Sequence, residues 1–399
     1  MRRVLLLNNT PAPYLTPMFE EVRRQSSWRL TLCFASRWNV DTGWRKGEAE
    51  AGLSDEQTVY LDELPIPGRR WMGKTVSPIL RLLGLLWRER PDYLVIYGYT
   101  LAPQVTLLLW ALLGRRPFAV MGDANLHADR AEGVRRWLKR LWLGWIVRRA
   151  AVIPTIGKAN RQFWLSYGAQ PDDLATAPFS VDNASLAKGA ARAKEEAARE
   201  RARLGLSRAV VFLSVGRLIA RKNLATLIRA FRSASRSMEG VEMGLVIVGT
   251  GEERPELERL AAGDPRIHFT GGVAPADLSR WYALSDALVL ISRDEPWGLV
   301  VNEAMACGLA ILAHQHCGAT PDLVDDENGI VLTGFGEEEV AEALRRLATL
   351  PPTRLRQMQE RSQQRIADWG IEATAAALIE AVERTPFPPQ TAQHRRTEE

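Results

Sequence analysis

The chain alternates short, continuous apolar runs with stretches in which apolar residues recur every three or four positions. In the first half, residues 4–7, 29–35, 58–61, 93–97, 117–121, 151–155 and 174–177 read as strands, and a helical stretch follows the first of them over 17–25. The greasiest segment, 94–114, is divided by Tyr97-Gly98-Tyr99-Thr100 and Pro103-Gln104 into a strand-sized and a helix-sized piece. It therefore lacks the ~20 continuous apolar residues of a membrane span. The rhythm breaks at Ser180-Val181-Asp182-Asn183. An Ala-rich, charged stretch over 184–203 then reads as a solvated helix. Alternation restarts with strands at 209–215, 243–248, 266–270, 287–291 and 310–313, and helices at 224–232, 252–261, 275–283 and 299–306. A long helical C-terminus over 337–384 and a loose, Pro-containing tail over 385–399 complete the chain. Such alternation predicts an α/β architecture: two Rossmann-like, doubly wound parallel-sheet domains facing a central cleft, divided near residue 183.

Composition narrows the classes. At 46% hydrophobic and 25% charged residues the chain is not globally disordered. Its 3 cysteines are odd in number and too few for a disulfide scaffold, so a reducing, cytoplasmic setting is expected. Only four apolar residues follow Met1-Arg2-Arg3, which is too short for a secretory segment. The net charge of +5 suits an anionic ligand or membrane surface and does not call for nucleic acid.

Three motifs carry chemistry. The first is Glu295-Pro296-Trp297-Gly298-Leu299-Val300-Val301-Asn302-Glu303, which follows one strand and opens a helix. Gly298 and Leu299 would offer backbone N–H groups to an anion. Glu303, one turn in, can accept two hydrogen bonds from a vicinal diol, while Glu295 lies on the other side of the anion. A single ligand with a diol, a diphosphate and a sugar would satisfy all three; an acidic helix cap is the plainer alternative. The second motif, Val215-Gly216-Arg217-Leu218-Ile219-Ala220-Arg221-Lys222-Asn223, puts Arg217 and Lys222 on a loop at a strand's carboxyl end, where two cations could clamp a diphosphate. A solvated loop is the alternative. The third, Val248-Gly249-Thr250-Gly251-Glu252, reads equally as close backbone approach to a ligand or as a tight turn. Arg254 stands where a dinucleotide fingerprint needs its last glycine.

In this order the motifs resemble family four of the retaining glycosyltransferases, enzymes of the GT-B fold that use nucleotide-activated sugars. The match is specific over 210–332 and looser beyond, where Trp369 falls at the aromatic position before the family's final helix. The resemblance implies a C-terminal nucleotide-sugar domain (184–364) and an N-terminal acceptor domain (1–183) on which a helix at about 365–385 packs back. It also implies roles: Arg217 and Lys222 on the donor diphosphate, Glu303 on the ribose, Glu295 on the transferred sugar, Gly216, Gly249, Gly251, Gly298 and Leu299 around the donor. The expected chemistry is front-face displacement without metal or cofactor. The chain has no Asp-x-Asp pair, and His314-x-His316 falls short of a zinc site.

The first half follows the family in rhythm only. Its first loop, Asn8-Asn9-Thr10-Pro11-Ala12-Pro13-Tyr14, has no glycine and reads as an acceptor-side wall including Tyr14. Asp123 or His127 would take the place of the family's histidine after a middle strand, with a plain Asp cap as the alternative. In 135–149, Leu138, Leu141, Trp142, Trp145 and Ile146 share a helical stripe flanked by six cations. A core-facing helix with a basic outer face is the simpler expectation. An interfacial helix on an anionic membrane, suited to a glycan or lipid-linked acceptor at the cytoplasmic face, is the other. Together these readings point to bacterial surface-polysaccharide or glycolipid assembly. A GT-B nucleotide-sugar epimerase and a non-catalytic nucleotide-sugar-binding partner are the competing functions.

Overall fold

The protein is described here by a computed structural model covering residues 1–37, 53, 57–62, 76–238 and 240–385. The expected tail beyond residue 385 lies outside the described residues.

The first sheet comprises β1 (Arg3–Asn8), β2 (Arg29–Phe34), β3 (Thr58–Tyr60), β4 (Tyr93–Tyr97) and β5 (Phe118–Met121), in the order β3-β2-β1-β4-β5, with every pairing parallel. A parallel pair, β6 (Ile153–Thr155) and β7 (Leu174–Thr176), extends it through a bridge between Ala119 and Val152. The second sheet runs β10-β9-β8-β11-β12-β13, again parallel, from β8 (Val210–Val215), β9 (Met243–Val248), β10 (Ile267–Gly271), β11 (Ala287–Leu290), β12 (Ala310–His314) and β13 (Gly329–Leu332).

Burial explains the unbroken apolar runs. In β1, Val4 and Leu6 enter one core while Leu5 and Leu7 enter another, because successive side chains leave opposite faces and both faces are covered. Segment 94–114 resolves as β4 and the helix Ala102–Leu113, as its Gly and Pro punctuation predicts.

Two helical expectations change. The C-terminus is three helices, Glu337–Ala348, Pro352–Ile366 and Ile371–Glu383, interrupted at Pro351-Pro352 and at Gly370. Stretch 184–203 is two helices, Asn183–Arg192 and Lys194–Arg203, packed against helix Leu278–Leu284 with Ala190 and Ala197 buried.

Helix Ile371–Glu383 packs on the first helix, Thr16–Gln25, so the chain crosses between the two sheets twice. The crossings meet at Asn183, whose side-chain amide donates to the carbonyls of Ile366 (2.8 Å) and Trp369 (3.3 Å).

Candidate functional site

In the second sheet the strand order reverses between β8 and β11. The loops leaving the carboxyl ends of these two strands diverge there, and such a divergence forms a crevice. The first of these loops carries Gly216, Arg217, Arg221 and Lys222; the second runs from Ser292 into helix Leu299–Ala306. Lys222 and Glu295 form an ion pair whose side chains are only 12% and 10% exposed. Ser292 Oγ donates to the same carboxylate (3.2 Å), and Arg221 lies 3.8 Å from it. Arg217 is exposed on the loop.

The glycines close this cluster. A Cβ on Gly216 would lie 3.6 Å from Lys222 Nζ, and one on Gly298 would come within 3.3 Å of Glu295 Cγ. Gly298 caps the helix at φ +98°; Val301 N–H donates back to its carbonyl (2.9 Å), while the N–H groups of Leu299 and Val300 precede any helix carbonyl they could reach. A Cβ on Gly249 would fall 1.8 Å from the carbonyl oxygen of Gly216, and one on Gly251 2.2 Å from that of Leu218. The Gly249-Thr250-Gly251 turn is therefore packed directly on the Gly216 loop. Six of the nine residues expected around a donor thus occupy one contiguous patch: Gly216, Lys222, Gly249, Gly251, Glu295 and Gly298.

Glu303 lies one turn inside the helix, apart from the Lys222 pair. Tyr282 Oη donates to it, while burial pushes its carboxyl up to about 7. The free protein at neutral pH thus holds a carboxyl near its midpoint, rather than the fully ionised diol acceptor that the motif suggests.

Across the crevice, the loop after β5 supplies Asp123, Asn125 and His127. The Asn125 amide, fully buried, donates to the carbonyls of Glu295 (2.9 Å) and Pro296 (3.3 Å) and accepts from Ala128 N–H (2.8 Å). Arg130 and Asp294 form an ion pair over the same gap. Asp123 is open to the cleft, and its carboxyl is raised by the surrounding protein and by the charge of Glu295. His127 stacks on His316 with ring centres 3.7 Å apart, and His314 lies buried against Phe335, also at 3.7 Å. Tyr14 packs edge-on against Phe179 (6.1 Å); from there Phe179, Trp297 and Trp369 form a ring-to-ring chain, 6.4 Å and then 5.7 Å between centres. The aromatic of the Glu-Pro-Trp-Gly motif is therefore a packing anchor: Trp297 is buried, and its indole N–H donates to Asn302 Oδ1 (2.9 Å).

Helix Gly133–Val147 corrects the stripe reading. Its core residues are Leu143, Ile146 and Val147, whereas Trp137, Leu138 and Leu141 are 59%, 53% and 51% exposed. The core-facing description holds only for its C-terminal half.

Sequence reading missed Asn125, Arg221, Asp294 and Tyr282. Arg221 adjoins Lys222 in the motif and could have been weighed. The other three gain their roles from partners distant in sequence.

Residues 209–349, which contain every loop of the patch, match the family model described as "Glycosyl transferases group 1". This second domain is thus similar to the glycosyl transferases group 1 family. Similar curated proteins include a D-inositol 3-phosphate glycosyltransferase of Kribbella flavida, 32% identical over 225 residues covering 54% of this chain and 52% of that protein. A GDP-mannose-dependent alpha-(1-6)-phosphatidylinositol monomannoside mannosyltransferase of Mycobacterium tuberculosis is 36% identical over 159 residues, 37% of this chain and 40% of the relative. The chain spans about half the length of the first of these relatives. Among solved structures, Anabaena HepE in complex with UDP is similar at a TM-score of 0.72 and 16% identity, covering 96% of this chain and 100% of that one. A sucrose-phosphate synthase of Thermosynechococcus elongatus follows at 0.71 and 17%, covering 96% and 99%. The two sheets with their helices thus form a GT-B fold.

Proposed function

We propose that the chain is a retaining, metal-independent glycosyltransferase that moves a sugar from a nucleoside-diphosphate sugar to a hydroxyl acceptor. The observation that carries this reading is the largely buried Lys222–Glu295 pair beside the Gly298 helix start, at the reversal point of a domain similar to group 1. In this reading the diphosphate enters between the helix start and Lys222, competing with Glu295 for the ammonium, and Arg217 adds a second charge from the loop. Glu303 accepts the ribose hydroxyls. Glu295, released, contacts the transferred sugar. The bond from the anomeric carbon to the phosphate oxygen breaks, and that oxygen takes the acceptor proton. The new bond forms on the same face. Such a reaction depends on fixed positive groups stabilising the leaving diphosphate.

The similar curated proteins are a glycosyltransferase and a mannosyltransferase, which supports transfer over epimerisation. UDP bound to the Anabaena protein supports a nucleoside-diphosphate donor. The test is thermal-shift screening against UDP-, GDP- and ADP-sugars, where a ligand at 100 times its Kd stabilises by ~2.7 kcal/mol. A shift with one nucleotide class that Lys222→Met removes supports the reading. Flat melting curves across the panel overturn it. Incubating the responding donor without acceptor separates the alternatives: slow hydrolysis marks a transferase, full conversion to the epimer an epimerase.

We place the reaction in the cytoplasm, at an anionic membrane face, in glycolipid or surface-polysaccharide assembly. Support comes from exposed Trp137, Leu138 and Leu141 beside exposed Arg135 and Arg136. Among the described residues no helix is long and apolar enough to cross a membrane. Co-sedimentation with phosphatidylglycerol vesicles, abolished by Trp137→Ser with Leu138→Ser, is the expected result; equal sedimentation of the variant refutes the contact.

A further inference from the structure

A cavity of about 330 Å³ opens at the carboxyl ends of β1 and β4, the reversal point of the first sheet. It lies across the crevice from the Lys222 patch, and Asp123 stands in its wall. Tyr14, Tyr97, Tyr99 and Phe179 give it ring faces, and Tyr97 and Phe179 are stacked 6.2 Å apart with an interplanar angle of 9°. Neither Lys nor Arg is among the described residues that line it.

The polar groups divide into those already committed and those left for a ligand. Gln104 Oε1 accepts from the N–H groups of Thr100 and Leu101, each at 2.9 Å, and its Nε2 donates to the Tyr97 carbonyl (2.6 Å) and to Asn9. Gln104 therefore braces the wall. Tyr97 Oη is different: the residue is only 8% exposed, and its hydroxyl has no hydrogen-bond partner. A buried hydroxyl left unmade is costly and rare in a folded protein. The Asp123 carboxylate accepts from its own backbone N–H and, exposed to the cleft, keeps further lone pairs for a ligand. The cation felt there is Arg221, itself held 3.7 Å from Asp294 and 3.8 Å from Glu295.

We propose that this cavity seats the acceptor as an uncharged polyol or sugar ring, hydrogen-bonded to Tyr97 Oη and the Asp123 carboxylate, and that it excludes a phosphorylated ring. The ring's C–H face lies on the aromatic wall. Its hydroxyls satisfy the tyrosine and donate to the carboxylate. A phosphate at the same place would lie beside a carboxylate, with no cation among the described lining residues to neutralise it. The inference rests on the donor lying in the second domain as described above.

The test is ligand-observed NMR titration of the full chain with myo-inositol, methyl α-glucopyranoside and methyl α-mannopyranoside, and with glucose 6-phosphate. At least one neutral compound binds, and glucose 6-phosphate binds at least about 10-fold more weakly. For that neutral compound Tyr97→Phe raises Kd about 3- to 10-fold, and Asp123→Asn about 10-fold or more. Both variants are near-isosteric, and unchanged melting temperatures show that the fold is kept. The proposal is overturned if no neutral compound binds, if the phosphate ester binds as well, or if both variants bind like the parent. The donor side is read separately by the UDP and GDP thermal shifts. Neutral-ring binding without a nucleotide response would sink the transferase reading and leave this pocket standing.

Discussion

The Lys222–Glu295 pair offers the sharpest experiment, because it separates a structural ion pair from a catalytic cation. Replacing Lys222 by Met keeps the length of the side chain and removes its charge. Glu295 then remains in a site where its side chain is 10% exposed, retaining the Ser292 hydroxyl at 3.2 Å and Arg221 at 3.8 Å. Breaking a buried pair costs ~3–5 kcal/mol, and the two remaining partners place this one at the lower end, ~3 kcal/mol. In a domain of this size ~1 kcal/mol moves the melting temperature by ~2–4 °C, so a fall of roughly 6–12 °C is expected. Adding Glu295→Gln removes the stranded charge, so the double variant should recover about half of that loss. Catalysis should behave otherwise. If Lys222 neutralises the leaving diphosphate, its loss lowers the transfer rate by ~10²–10³, and no change at Glu295 restores it. The assay is release of nucleoside diphosphate from the donor found by thermal shift, measured beside the melting curves of the single and double variants. Normal transfer by Lys222→Met, or recovery of rate in step with stability, would show that the lysine serves the fold alone.

Three further outcomes follow from the geometry. Gly249→Ala puts a methyl group 1.8 Å from the carbonyl oxygen of Gly216, so it should lower the melting temperature sharply. Gly168→Ala, with nothing within 4 Å, should cost only the ~1 kcal/mol of a strained φ; similar melting temperatures would refute the packing role. Asn125→Ala removes three hydrogen bonds at a buried site between the sheets, a loss of ~2–3 kcal/mol, and should speed limited proteolysis between the domains; unchanged cleavage would show that the contact does not hold them together. Glu303 sets a pH dependence. Its folded value of about 7 lies above the ordinary 4.5, so the folded state keeps a proton that the unfolded chain releases. Stability attributable to this group is full below pH 4.5 and falls by up to about 3 kcal/mol as pH rises to 7. Glu303→Gln should flatten that slope while weakening binding of ribose-bearing donors; melting curves at pH 5 and pH 8 with an equal gap between the two proteins would exclude Glu303 as the titrating group.

Much of the fold was legible because both sheets are covered on both faces. A strand such as Met243–Val248, buried at every position, leaves an apolar run that little else produces. The edge strand Gly329–Leu332 escaped notice because Val331 faces solvent and Gly329 opens it. Within the helical C-terminus, Pro351-Pro352 marks the break between Glu337–Ala348 and Pro352–Ile366. In the site, the glycines and charges of the second domain were readable because they sit on local strand–loop–helix motifs. Asn125 and Tyr282 were not, since an amide that bonds carbonyls 170 residues away leaves no trace in its own neighbourhood. The helix Gly133–Val147 misled for a related reason. Its pattern shows which residues share a face, but whether that face meets protein or solvent depends on what packs there.

The amide of Asn183 has a mechanical meaning. Both passages of the backbone between the lobes are fastened at that one side chain, so the rear lobe hangs from the front one on a doubled pivot. A doubled pivot favours swinging about its own axis and resists sliding or detachment. Any wide opening of the crevice must then release the far-side clasps, Asn125 on the Glu295 loop and Arg130 on Asp294, while the pivot stays whole. Cutting the chain before helix Ile371–Glu383 would remove one arm of the pivot and uncover the front lobe's first helix, so damage at the extreme C-terminus should appear first in the lobe that begins at residue 1.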